Sequence, residues 1–239
     1  MRRIVFCMVL LLSACFATAE SRVWTMVDGR TFEAEFVNLV VGKVLLKSEK
    51  GTRLKLPLDQ FSEKDRKFIQ LETPPTLEIS FSRKTDQRRY TPDLFENELP
   101  SSFYTSFSAS VKQTSSGSYD HELVVEFFAI GTEIHGNNYI LLDRQEHRFV
   151  LTDKNKRSTK FKGRTIQLTD YQIKQFRRGR KYASFLVVVT DARGKIIAHE
   201  TPKKWLFENL ENLKQVPLGK CFDKTCTRIG PTRPKPFNY

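Results

Sequence analysis

Two groups of residues in this 239-residue sequence have types and spacings that could do chemistry. The first is Cys221 and Cys226, with four residues between them. In an oxidising compartment such a pair most simply closes as a disulfide, with two free thiols as the alternative. The spacing is not that of a zinc ribbon and no second Cys/His pair accompanies it, so no metal is expected. The second group is a run of cations: Lys154, Lys156, Arg157, Lys160, Lys162, Arg177, Arg178, Arg180 and Lys181. Phe161, Tyr171, Phe176 and Tyr182 are interleaved with them. Cations alternating with rings that can stack are a footprint of polyanion binding.

Catalytic signatures are missing. There is no G-x-S-x-G elbow, phosphate-binding glycine loop, dinucleotide fingerprint or H-E-x-x-H, and nothing implies a cofactor. His121, His135, His147 and His199 are dispersed. His121-Glu122 and Glu146-His147 are sequence neighbours, which on strands point to opposite faces. Carboxylates are plentiful between residues 72 and 150, which keeps a glycan hydrolase as the enzyme alternative without placing its residues.

The compartment is written at the N-terminus. Arg2 and Arg3 precede the apolar run from Ile4 to Leu12 and then small residues, the form of a secretory leader too short to span a bilayer. Ala17-Thr18-Ala19 offers cleavage before Glu20, giving a leader over 1–19. Leu12-Ser13-Ala14-Cys15 offers the competing lipobox, with a lipid on Cys15. Either route predicts export to the periplasm, cell envelope or medium, with membrane attachment only through Cys15.

Four short strand patterns with tight turns fill residues 20–71. Asp28-Gly29, Gly42-Lys43 and Lys50-Gly51 supply the turns, and Phe32, Ala34 and Phe36 alternate with Glu33 and Glu35. Such a set predicts a small barrel, followed by a helix capped by Ser62 with Asp65 three residues on. The series Arg22-x-Trp24-Thr25, Asp28-Gly29, Ala34-x-Phe36-Val37, Val44-x-Leu46, Gly51 and Leu56-Pro57-Leu58, closing with Phe61-Ser62-x-x-Asp65, resembles the Sla homology domain of the SHD type. That resemblance implies an SH3-like barrel. In the fungal endocytic adaptor that names the family, the domain recognises Asn-Pro-Phe-x-Asp peptides. Similar copies occur in exported proteins of Planctomycetes and Verrucomicrobia. Lys43 aligns with a fungal lysine suited to a peptide carboxylate, so the resemblance makes it the candidate ligand residue of this unit.

After a stiff Pro-containing join at 72–76, residues 77–216 carry seven or eight strand patterns and then a helical one. Leu123 to Phe128 and Phe185 to Val189 are near-continuous apolar runs suited to central strands. Leu206, Leu210 and Leu213 recur at helical spacing behind Thr201-Pro202. The expected class is therefore mainly β: a small SH3-like barrel followed by an immunoglobulin-like β-sandwich with a C-terminal helix. A Pro-rich tail, 217–239, carries the cysteine pair.

The charge is uneven. The sequence has 40 Lys plus Arg against 27 Asp plus Glu, a net +13. Residues 20–71 and 72–150 carry +2 and −5, whereas 151–239 carry +14. Behind a secretory leader the expected partner of that excess is acidic envelope polysaccharide rather than nucleic acid. The sequence thus predicts a noncatalytic exported binding or scaffold protein for protein segments, peptides or acidic envelope polymer. A structural envelope component and a glycan-active hydrolase, or an accessory unit of one, are the alternatives.

Overall fold

The computed structural model describes residues 21–88, 101–173 and 176–232. The expected leader with Cys15 and the tail beyond 232 lie outside them. The chain divides into two compact units at Ile69/Gln70.

The first unit has strands β1 (Ser21–Thr25), β2 (Thr31–Val40), β3 (Lys43–Lys47) and β4 (Arg53–Pro57), an antiparallel sheet in sequence order. A 3-10 turn, Leu58–Gln60, leads to Phe61, which bridges back to Met26 and closes the barrel. Helix α1 (Glu63–Glu72) follows. The period-2 pattern is obeyed: Trp24, Ala34, Val44, Leu46 and Phe61 are fully buried together with Ile69. Trp24 anchors this core, stacking edge-on to Phe61 and Phe68 while its indole N–H donates to Ala34 O at 2.9 Å.

The helix cap also holds the barrel. Ser62 Oγ accepts from the Asp65 amide at 3.2 Å and donates to Asp65 Oδ2 at 2.8 Å. That carboxylate further accepts from Thr25 N and from Arg22, whose guanidinium lies over the Phe68 ring. Burial raises the Asp65 pKa. The Thr25 amide, the Ser62 hydroxyl and Arg22 lower it by more, so the carboxyl sits below its ordinary value.

The second unit contains β5 (Leu77–Arg88), β6 (Ser101–Gln113), β7 (Tyr119–Glu133), β8 (Tyr139–Leu151), β9 (Ser158–Ile173), β10 (Phe176–Thr190) and β11 (Ile196–Glu200). Helices α2 (Lys204–Glu208) and α3 (Leu210–Gln215) and the two-residue strands β12 (Cys221–Phe222) and β13 (Arg228–Ile229) complete it. One sheet runs β5-β6-β9-β10 and the other β11-β10-β7-β8-β12-β13. Strand β10 belongs to both: Phe176–Gly179 pair with β9, and Arg180–Thr190 pair with β7. The sandwich core lies between the sheets, with Phe107, Val125, Phe127, Phe161 and Val187 buried in it.

The apolar run in β7 has a second cause. Phe128, Ile130 and Leu141 point away from the sandwich core and are covered by Leu206, Leu210, Leu213 and Phe222. The sheet is apolar on both faces because helices lie on its outside. The single helix expected behind Thr201-Pro202 is two short ones, broken at Asn209 (φ −111°). Thr201 does not occupy the cap position; its hydroxyl donates to Phe185 O at 2.6 Å and so ties the helical segment to β10.

The disulfide expectation fails: Cys221 and Cys226 are both free and buried. Alternation on β12 explains it. Cys221 faces the sandwich core, whereas Phe222 and the following Cys226 face the helices. The two thiols are thus on opposite sides of one sheet. Burial pushes the Cys226 thiol up to about 12, helped by Asp223, and burial with Glu133 also raises Cys221.

Candidate polyanion-binding surfaces

The cation run is not one patch. Lys154, Lys156 and Arg157 lie in and just after the short turn Asp153–Asn155. Arg157 is spent on Asp153 and on Gly117 O. Lys160 and Lys162 are early on β9, whereas Arg178 pairs with Tyr171 and Gly179 with Asp170 at its far end. Ten residues of strand separate Lys160 from Asp170, roughly 33 Å at about 3.3 Å per residue. Sequence neighbours became opposite ends of a long hairpin. Arg177 falls in β10 but its side chain is outside the described residues, and Lys181 is exposed opposite Thr132.

The first end has its own geometry. Lys160 pairs with Ser110, which pairs with Ser80; Lys162 pairs with Ser108, which pairs with Ser82. Thr165, Ser106 and Lys84 form the next row, and Ser158, Lys112 and Glu78 the row on the other side. These residues share the outer face, since the intervening Phe107, Ala109, Val111 and Phe161 are buried. The result is a shallow field of hydroxyls with Lys84, Lys112, Lys160 and Lys162 exposed around it. Ser80 and Ser110 hydroxyls bond each other at 2.7 Å, and further along the face Gln167 donates to Ser102 Oγ at 2.9 Å. Lys84 reaches Asp86 only at 3.9 Å, and the other three lysines have no ion-pair partner among the described residues. The sequence signal was there as Ser/aromatic alternation in β6, but serine has low strand preference and read as ordinary surface.

The other end is a depression of about 290 Å³ at the point where β10 changes sheets. Arg178 and Arg180 line it together with His135, Thr169, Glu133 and the buried Cys221. Glu133 is already engaged. It accepts from Thr232 N at 3.0 Å, from the Thr232 hydroxyl at 2.5 Å and from the Cys221 thiol at 3.7 Å. A neighbouring depression of about 520 Å³ shares Cys221 and Pro231 and is edged by Lys220 and Arg228.

The remaining candidates stay separate. Lys43 is exposed at the start of β3, beside the two-residue turn Val41-Gly42. His147 stacks on Phe161 with a buried, unbonded Nε2, His121 packs on Tyr119, and His199 stacks on Phe207. Among the described residues no group of three His, Cys, Asp or Glu is placed to hold a metal ion, and no helix is long and apolar enough to cross a membrane.

No family model matches the chain, and no curated protein matches it. Among solved structures, a crystal structure from Akkermansia muciniphila aligns over 54% of this chain and 71% of its own, at 16% identity and a TM-score of 0.27.

Proposed function

We propose that the chain is an exported, noncatalytic binding protein that holds acidic envelope polysaccharide on the outer face of the β5-β6-β9 sheet. The observation that carries this is the field of small hydroxyls edged by four lysines. Small side chains leave room for an extended chain to lie flat. Serine hydroxyls exchange hydrogen bonds with sugar hydroxyls, and the ammonium groups meet carboxylates or sulfates at spacings of about 5–7 Å. The barrel, with its SHD-like residue series, serves in this reading as a second, protein-directed module, with Lys43 as its exposed cation.

The test is retention on immobilised polyuronate against neutral glucan. The intact protein is retained by polyuronate and released by salt. Lys160→Glu combined with Lys162→Glu lowers affinity about tenfold while leaving the thermal transition in place. Equal retention on neutral glucan, or an unchanged affinity of the double variant, overturns the proposal.

A further inference from the structure

We infer that the depression at the β10 sheet switch is a separate site for one small anion carried on a ring-sized ligand, such as a free acidic sugar. This inference does not depend on the polymer reading and uses different residues.

Two arginines are placed there by backbone, not by chance of a flexible surface. Arg178 and Arg180 flank the point at which β10 changes sheets, and both line the depression. Between them Gly179 has φ +128°, a conformation that side chains avoid, and a Cβ there would run into Thr169 O. Its own carbonyl accepts from Ile134 N at 3.0 Å. The glycine therefore marks the exact residue at which β10 leaves β9 for β7, and the flanking guanidinium groups are carried to the seam.

Neither arginine has an ion-pair partner among the described residues. Arg180 is the cross-strand partner of Glu133, which ordinarily predicts an ion pair, yet none forms. The Glu133 carboxylate turns instead to the Thr232 amide and hydroxyl and to Cys221. Arg178 has no side-chain partner among the described residues. The neighbouring depression, lined by the β12–β13 hairpin, adds Lys220 and Arg228 and no carboxylate, so cations outnumber the Glu133 carboxylate among the residues lining the two. Guanidinium groups bind carboxylate or phosphate through paired N–H donors, and Thr169 lines the depression beside them. Ile140 and Pro231 supply an apolar wall for the carbon body. A volume near 290 Å³ is at the lower end for ligand sites and suits a single ring rather than a polymer.

The experiment is calorimetric titration of the full chain with glucuronate, glucose 6-phosphate and glucose. Saturable binding of the first two, and none of glucose, is expected. Arg178→Gln with Arg180→Gln lowers the affinity at least about tenfold, while Arg178→Lys with Arg180→Lys, which keeps charge and loses the fork, gives a smaller loss. The Lys160→Glu, Lys162→Glu variant binds both anions as the parent does, which separates this site from the polymer face. Absence of saturable binding at millimolar ligand overturns the inference. So does equal binding of glucose, or undiminished binding by a folded Gln variant. Loss of small-anion binding in the lysine variant would move the site to the other face and overturn it equally. A preference between glucuronate and the phosphate identifies which anion the fork fits.

Discussion

The Asp143 carboxylate fills the space that a side chain at position 163 would need, so Gly163 is fixed by a residue of the opposite sheet. On β9 the register slips at this point: one residue of β6, Phe107, faces both Gly163 and Arg164. The Arg164 amide is released from the ladder and donates across the sandwich to Asp143 Oδ2 at 3.0 Å. Arg144 N, Gln145 Nε2 and Arg164 Nε complete the shell of a carboxylate with no solvent exposure. Asp143→Ala strands these donors and is expected to cost about 3 kcal/mol in urea unfolding. Gly163→Ala is expected to destabilise by about 1–3 kcal/mol through overpacking. A variant within a few tenths of the parent would mean that the sheets are not tied here.

Acid should loosen the first unit through Asp65. Its folded pKa is below the unfolded value near 3.8, so its stabilisation is complete above that value and is lost as the pH falls through the folded one. Tryptophan fluorescence of Trp24 and Trp205, followed from pH 6 to 2, reports this loss once Trp205→Phe isolates the barrel signal. Asp65→Asn should flatten the acid limb and lower stability at neutral pH. An unchanged acid limb would assign the loss to other carboxylates.

The thiols of Cys221 and Cys226 should be protected but free. With Cys226 pushed up to about 12 and Cys221 also raised, alkylation at pH 8 is slow in the native protein and fast in denaturant. Mass spectrometry of the peptide spanning 221–226 then shows two labels without prior reduction, and reductant leaves the thermal transition unmoved. A peptide two hydrogens light would contradict the opposite-face placement.

Val41 sits at φ +50° ahead of Gly42 at φ +70°, and its side chain is 94% exposed. The pair forms a two-residue hairpin loop in which both residues have positive φ, a position that suits asparagine and strains a β-branched residue. Val41→Asn should stabilise the barrel by about 1 kcal/mol. If it does not, the turn relaxes the strain elsewhere.

How much was legible follows from which residues signal by pattern. Phe32, Ala34 and Phe36 alternate, and Ser62 with Asp65 caps α1, so the barrel and its helix could be read directly. The long hairpin β9–β10 could not. Lys and Gly are weak strand formers, and only Arg164–Leu168 and Tyr182–Thr190 within it carry a strand pattern. Sequence adjacency thus presents as one run two cation groups that the hairpin holds apart. The cysteines were misread because five-residue spacing says nothing of which face each occupies. Lys220 and Arg228 carried no sequence signal, since isolated cations near a proline-rich tail are ordinary surface.

Strand β10 has one further consequence. A β-sandwich with two independent sheets can in principle shed one and keep the other as a partly ordered remnant. Here residues 176–179 are an outer strand of one sheet, and residues 180–190 pair with β7 in its partner, with β11 on their other side over 187–190, all on a single unbroken backbone. Peeling either layer pulls a strand from both, so the sandwich has no cheap halfway state. It should melt as one piece, and the arginines at the seam keep their spacing until the whole structure gives way.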